Sequence, residues 1–414
     1  MNCEIIAIGS EMLTPHRQDT NSLYLTEKLN QLGVSVAFKT IVGDRMQHLV
    51  DAARVALSRV DVVLFSGGLG PTEDDLTREA VAEALGIGLH RSSELMQALT
   101  VRFAKRSMAM PPNNHRQADV LDGAEIIPNA KGSAAGQLLD TNYAGKRRIL
   151  VLLPGPPSEL KPMFDEQCVP RLRGLLPVSH IAKRVLRMAM VPESTADAMA
   201  APIYSQYPDV ETTILAHFGE IQLHFLCAKP SLEEAQERVD EVAGRVADVL
   251  EEFVFSEHGE PLEEIVLLRL DMRGLTLAVA ESVTGGWLSQ RLTSVSGSSR
   301  SFLGGAVVYS PRLKTLFADV PPEMIEEHDA VSPQVAEALA QGIRLRTGAS
   351  IGVGITGVAG PSGGTPELPI GLVYIGVSDA AGTQVTRHTF TGDRDRIRYF
   401  STQQALDLIR RKLI

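Results

Sequence analysis

Two stretches of the chain bring together residue types that can do chemistry. In "SGGLGPTEDDLTRE", Ser66–Glu79, glycines at 67, 68 and 70 stand ahead of Thr72, Glu73, Asp74 and Asp75. Such glycines allow positive φ and close approach of the backbone to a phosphate. Carboxylates beside a phosphate loop commonly hold a divalent cation. Helix capping alone accounts for part of that acidity, since acidic residues are favoured at a helix N-terminus. Two adjacent aspartates plus Glu73 exceed what a cap needs, so a divalent cation is expected at this acidic cluster. In the second stretch, "AESVTGGWLSQRL", Ser282 precedes Thr284, Gly285 and Gly286. A serine on a sharp strand-to-helix turn presents its hydroxyl to a space that helix N–H groups also face, which suits an oxyanion. Alone, that pattern is also an ordinary helix cap.

Residues further along give the serine partners. In "GGAVVYSPRLKTL", Ser310 reads as an N-cap, Pro311 as the first helical residue, and Lys314 falls in the first turn. A cation is unfavourable there, and that field with burial would lower the lysine pKa and leave an amine able to act as a base. The commoner fate of a lysine is to reach solvent. Tyr309, at the strand end, is placed to orient the amine. The strand "SIGVGITG" ends at Thr356 and runs into a loop with Gly357 and Gly360, and "GSS" adds the hydroxyls of Ser298 and Ser299. Arg394, Arg396 and Arg398 open a helix beside Asp393, an arrangement that a ligand phosphate would favour. Ser282, Lys314, Tyr309, Thr356 and one arginine form the constellation of a Ser-Lys amidohydrolase for a phosphorylated amide. Thr284, Gly285, Gly286, Ser298, Ser299, Gly357, Gly360, Arg394 and Arg398 are its expected substrate contacts.

The elements that must hold these residues alternate. "CEIIAIG", "VSVAFKTIVG", "VDVVLFSGG" and "RRILVLLPGPP" read as apolar strands separated by amphipathic helices, with one helix starting near Asp74 or Asp75. Strands apolar along their whole length imply a mainly parallel sheet covered on both faces. Ligands of such sheets bind beyond the carboxyl ends of the strands. There the first strand exit offers Ser10, Glu11, Asp19 and Asn21, and the last offers Gly155 and Pro156. The segment 178–256 changes to a small α+β pattern, and βα alternation returns from "LTLAVAES" onward. The expected class is α/β: two three-layer parallel-sheet domains, 1–170 and 260–414, joined by a small α+β domain at 178–256.

Composition bounds the rest. The 414 residues are 44% apolar and 22% charged, with 5% aromatics and a single Trp. The net charge of -10 argues against sequence-nonspecific nucleic-acid binding, which needs a basic face. Cys3, Cys168 and Cys227 lie far apart, a spacing that fits a reduced protein better than a disulfide framework. There is no signal-peptide pattern and no long apolar run, so a soluble, cytoplasmic protein without a membrane partner is expected. His16, His115, His217 and His224 form no metal-ligand spacing.

The order "GSEML…DTN…SGGLGPTEDDLT…PGPPSEL" resembles the amino-terminal domain of the CinA (competence-damage-inducible) family. That domain is in turn similar to the molybdopterin-binding domain of molybdenum-cofactor biosynthesis proteins. The resemblance implies metal-dependent hydrolysis of the pyrophosphate in ADP-ribose, with a divalent ion at Asp74 and Asp75. "AES.TGG", "GSS..F.GG.V.YS…K", "ITG.AGP.GG" and "GDR..IR" resemble the family's carboxy-terminal domain, similar to stand-alone nicotinamide mononucleotide deamidases. It implies attack by Ser282 on the nicotinamide carbonyl with Lys314 as base, no cofactor, and Arg398 or Arg394 on the ligand phosphate. The middle segment resembles the family's KH-like insert but has no GXXG loop, so an RNA-clamping role does not carry over. A spacer role and a homodimer are expected. Val283, Pro311 and Leu368 depart from the family pattern, which has Cys, Asn and Lys there. The alternative is a molybdopterin- or nucleotide-binding protein with one or both sites inactive.

Overall fold

The computed structural model describes residues 1–105 and 107–414. They form two compact units, Met1–Ala182 with Ala228–Ala235, and Lys183–Cys227 with Gln236–Ile414.

The first unit contains β1 (Asn2–Ile8), β2 (Ser35–Val42), β3 (Val62–Ser66), β4 (Leu89–Arg91), β5 (Asp119–Leu121), β6 (Glu125–Ile127), β7 (Gly136–Tyr143) and β8 (Lys146–Leu153). Its main sheet runs β2-β1-β3-β8-β7-β6, with β4 and β5 paired separately. The four strands from β2 to β8 are parallel. Successive residues of β1 point to opposite faces: Ile6 and Ile8 join the helices Met46–Arg59 and Thr77–Leu85, while Cys3 and Ile5 join Asn21–Gln31 and Pro157–Met163. This two-sided burial is why the strands carry no polar alternation. β7 and β6 run antiparallel. The turn between β7 and β8 explains the reversal: it has two residues, Ala144 and Gly145, both at positive φ, the geometry of a tight hairpin. The helix after β3 starts at Thr77 rather than at Asp74 or Asp75.

The middle sheet, most of whose residues belong to the second unit, comprises β9 (His180–Ala189), β10 (Val210–His217), β11 (Glu220–Lys229) and β12 (Val254–Ser256), in the order β10-β11-β9-β12. The five-stranded sheet comprises β13 (Leu277–Glu281), β14 (Phe302–Val307), β15 (Ile351–Gly357), β16 (Leu372–Asp379) and β17 (Gly382–Thr389). Its order is β14-β13-β15-β16-β17, parallel over the first three strands and antiparallel thereafter. Leu277 and Val279 face one core with the helices Leu262–Met272 and Arg394–Lys412, and Ala278 and Ala280 face the other with Pro333–Thr347. Both large sheets therefore keep the expected parallel centre, with antiparallel strands added at one edge. Among the described residues no helix is long and apolar enough to cross a membrane.

Candidate functional site

The parallel register of β14-β13-β15 brings three strand exits together in the second unit. Ser282 follows β13, and its N–H donates to the Ile355 carbonyl at 3.0 Å. The chain then turns through Gly285 (φ 61°) and Gly286 (φ 93°) into the helix Trp287–Thr293. After β14, Ser310 caps the helix Pro311–Ala318 by accepting from the Leu313 N–H, with Pro311 at the first position. Lys314 turns inward from that helix and is only 2% exposed. Its Nζ donates to Ser282 Oγ at 2.9 Å and to the Val308 carbonyl at 2.8 Å. Burial pulls the amine down from 10.5 to about 8, because a charged ammonium is disfavoured away from water. The Val308 carbonyl can only accept, so a neutral amine keeps an N–H on it and can turn its lone pair to the serine.

Glu281, the last residue of β13, was not singled out from the sequence. It is fully buried, and its carboxylate accepts from the Gly286, Leu288 and Ser289 N–H groups at 2.7–3.0 Å and from Ser289 Oγ at 2.7 Å. One side chain thus occupies the orphan donors of the helix N-terminus and fixes the turn that carries Ser282. The Val283 and Thr284 N–H groups have no acceptor among the described residues. Thr284 Oγ is buried without a partner. These donors follow Ser282 directly and, unlike the helix N–H groups held by Glu281, are free to receive an acceptor beside the serine.

The other expected residues sort by strand exit. Tyr309 is exposed, and its hydroxyl accepts from Arg394 Nη2 at 2.8 Å; the partner that orients the Lys314 amine is the Val308 carbonyl. Arg394 also donates to the Gly360 carbonyl at 2.8 Å, tying the β15 exit loop to the β14 exit. Thr356 is buried beside Ser282 at the end of β15, but its hydroxyl donates to the Ala330 carbonyl at 2.7 Å and positions that loop. Gly357 closes β15 opposite Val373. Arg398 donates to the Thr284 carbonyl at 2.9 Å, while Arg396 lies over the Phe218 and Phe400 rings. Asp393 caps this helix through the Arg396 N–H. Ser298 and Ser299 are not part of the cluster. They precede Phe302, which pairs with Leu277, so they stand at the amino ends of the parallel strands while Ser282 stands at the carboxyl ends. Of the three departures from the family pattern, Val283 is buried in the core, Pro311 leaves Lys314 on the serine, and Leu368 closes a turn on Thr365.

In the first unit a cavity of about 390 Å³ opens at the carboxyl ends of β1, β3 and β8. Glu11, Gly67, Gly68, Gly70, Thr72, Asp74, Asp75, Gly155 and Pro156 line it, as expected, and so does Glu159. Gly67 has φ 113°, and a Cβ there would meet the Ile8 carbonyl at 2.4 Å, so no other residue fits. Three expected residues brace the rim. Asn21 bridges Ser66 Oγ and the Gly155 carbonyl; Ser10 exchanges hydrogen bonds with Asp44; and Asp19 accepts from the Ser22 N–H. Two arginines missed by the sequence reading hold the loop from behind. Arg78, 1% exposed, donates to the Leu69 carbonyl at 2.7 Å and is pushed down to about 10 by burial. Arg116 donates to the Thr72 carbonyl and to Glu79. Both follow the glycines as charges on elements that look like solvated faces, so only the fold reveals them.

Asp75 takes the Thr72 N–H at 2.9 Å, and the single Thr72 hydroxyl lies within reach of both the Asp74 and the Asp75 carboxylates. The Thr72 bond holds the Asp74 carboxyl below the usual carboxylate range. Among the described residues no three acidic, His or Cys side chains converge as a ready metal cage. Two carboxylates on a phosphate-type loop still fit a magnesium-like ion, which takes one or two carboxylates and completes its shell with water and ligand phosphates.

Residues 259–413 match the family described as CinA C-terminal domain, and residues 4–174 match that described as Probable molybdopterin binding domain. The chain is 60% identical to a CinA-like protein of Acidobacterium capsulatum and 58% identical to one of Koribacter versatilis, with 100% of both chains covered in each case. A solved structure of CinA from Thermoplasma acidophilum is 28% identical, with a TM-score of 0.37, over 41% of this chain and 99% of that one.

Proposed function

The chain belongs to the CinA family, and we propose that its second unit hydrolyses nicotinamide mononucleotide to nicotinate mononucleotide and ammonia. The observation that carries this is the buried Lys314 amine, 2.9 Å from Ser282 Oγ and pulled down to about 8. Neutral Lys314 takes the serine proton as Oγ attacks the carboxamide carbon. The Val283 and Thr284 N–H groups receive the oxygen as it becomes negative. The C–N bond breaks, and Lys314 returns its proton to the departing nitrogen, which leaves as ammonia. Water then attacks the ester, giving a proton to Lys314, which passes it to Ser282 as the acid leaves and releases its own remaining proton to solvent. Arg394 and Arg398 each spend two of their five N–H groups on the fold, so both keep donors for the substrate phosphate.

For the first unit we propose metal-dependent hydrolysis of the pyrophosphate of ADP-ribose. A divalent cation held by Asp74 and Asp75 would neutralise pyrophosphate charge there. The glycine loop Gly67–Gly70 lets the phosphates approach the backbone, and Thr72 sets the direction of both carboxylates. Ammonia release from nicotinamide mononucleotide tests the first activity, with Ser282→Ala expected to abolish it. Magnesium- or manganese-stimulated ADP-ribose hydrolysis tests the second. A well-folded chain that binds either nucleotide without turnover would show a binding module instead.

A further inference from the structure

The only tryptophan of the chain, Trp287, opens the helix that follows the Ser282 turn, and rings gather on it from two distant segments. Tyr399 of the last helix meets it edge-on with centroids 5.6 Å apart, and the Arg398 guanidinium lies over its ring at 5.1 Å. Behind Tyr399 stands the tip of the β10–β11 hairpin from the middle sheet. His217 meets Tyr399 at 5.7 Å and Phe218 meets it at 6.1 Å, both edge-on, and His217 and Phe218 stack on each other at 5.1 Å. Phe218 further packs on Phe400 at 6.3 Å and under the Arg396 guanidinium at 5.2 Å.

The tip is held in place from its own side. The Met190 N–H donates to the Gly219 carbonyl at 3.0 Å. Gly219 has φ 66°, and a Cβ there would press on Gln403, Met190 and Phe400 at 3.1–3.2 Å. A hairpin turn facing only water has no need of two aromatic residues, and Phe218 is still 41% exposed. Edge-on ring pairs and an arginine over a ring are directional contacts, so they fix orientation as well as bury area. Arg398, pinned over Trp287, donates to the Thr284 carbonyl, and Thr284 belongs to the turn that carries Ser282. A continuous line of contacts therefore runs from the hairpin through Tyr399, Trp287 and Arg398 to the Ser282 turn.

We propose that the hairpin tip His217–Phe218 is a positioning element for the Ser282 site, bracing the Trp287–Tyr399–Arg398 group that holds the phosphate-bearing end of the substrate. This rests on the deamidase reading of the second unit. His217 and Phe218 act through Tyr399 and Arg398, so their removal affects binding more than chemistry.

The full-length chain is compared with Phe218→Ala, the double variant His217→Ala/Phe218→Ala, and Phe218→Tyr. The alanine variants are expected to raise KM for nicotinamide mononucleotide about tenfold while kcat stays within about twofold. Trp287 emission, read without interference from another tryptophan, shifts to the red in them. Phe218→Tyr restores both KM and emission. An unchanged KM, or a fall in kcat that merely follows a lowered melting temperature, overturns the proposal. If no protein releases ammonia, the second unit is not a deamidase, and quenching of Trp287 by added nicotinate mononucleotide then decides. Binding about tenfold weaker in Phe218→Ala supports the positioning role, whereas equal binding, or no response even in the native chain, overturns it.

Discussion

Lys314 Nζ and Ser282 Oγ lie 2.9 Å apart although 32 residues of sequence separate them. Adjacent parallel strands make this possible, because β13 and β14 end side by side and release their chains into the same space. Replacing either partner is expected to remove at least about a thousandfold of the ammonia-release rate, the range for loss of a nucleophile or its base. Ser282→Ala and Lys314→Met should both remain folded, since each substitution is smaller than or similar to the group it replaces. Parallel circular-dichroism melts separate lost chemistry from lost structure.

The rate should depend on pH through the same amine. A base must be neutral, and Lys314 is held at about 8 by burial. Below that value most of the amine is protonated, so kcat/KM for nicotinamide mononucleotide should rise about tenfold per pH unit up to about 8 and level off above it. A profile flat from pH 6 to 9 would exclude Lys314 as the base.

Stability carries the opposite face of this arrangement. Below pH 8 the amine is protonated in both folded and unfolded chains, and the folded state bears the full penalty of a buried charge. Between about 8 and 10.5 the folded amine is neutral while the unfolded one still binds a proton, so folding gains as pH rises. The native chain should therefore gain about 3 kcal/mol relative to Lys314→Met between pH 7 and 10.5. Urea unfolding of both proteins across that range reads the difference directly, whatever the absolute effect of the substitution at one pH.

How much of this was legible in the sequence follows from which forces are local. Strand identity, helix identity and the glycine exits could be read because burial on two faces leaves continuous apolar runs. The Ser310 cap, Pro311 and Lys314 could be read because capping is a short-range pattern. Ser298 and Ser299 misled because their hydroxyls precede a strand by a few residues, and nothing local says which end of the sheet that is. The helix expected near Asp74 began later because the aspartates spend their oxygens on Thr72. Glu281 stayed hidden for a different reason: its partners lie five to eight residues on, across a glycine turn whose geometry only the fold supplies.

Glu281 should prove as necessary as the dyad, though it touches no substrate. Glu281→Gln substitutes an NH2 for one accepting oxygen and leaves buried N–H groups without acceptors. Each such group costs about 1–3 kcal/mol. We expect Glu281→Gln to lower stability by about 2–4 kcal/mol and Glu281→Ala to lower it more. In Glu281→Gln protein that is still folded, kcat should fall while KM changes little, because the turn that aims Ser282 has loosened. A variant with native melting temperature and native kcat would show that the helix N-terminus finds other acceptors.

The first unit offers a separation of two adjacent aspartates that sequence alone left equivalent. Asp75 accepts both the Thr72 N–H and the Thr72 hydroxyl, so it shapes the loop Gly67–Asp75, whereas Asp74 takes only the hydroxyl and is exposed. Thr72 has one hydroxyl proton, which cannot serve both carboxylates at once, so the Asp74 oxygens are the more available to a cation. Asp74→Asn is expected to leave the melting temperature within about 1 °C, as for an exposed substitution, and to reduce metal-stimulated ADP-ribose hydrolysis by at least about a hundredfold. Asp75→Ala should lower both stability and hydrolysis, because it removes the oxygen that accepts the Thr72 N–H and hydroxyl and shapes the loop. Titration with manganese, followed by its paramagnetic broadening, checks the binding directly. Weaker broadening in Asp74→Asn with an unchanged fold would place the cation on Asp74, and equal broadening in both variants would move it to the Glu11 and Glu159 side of the cavity.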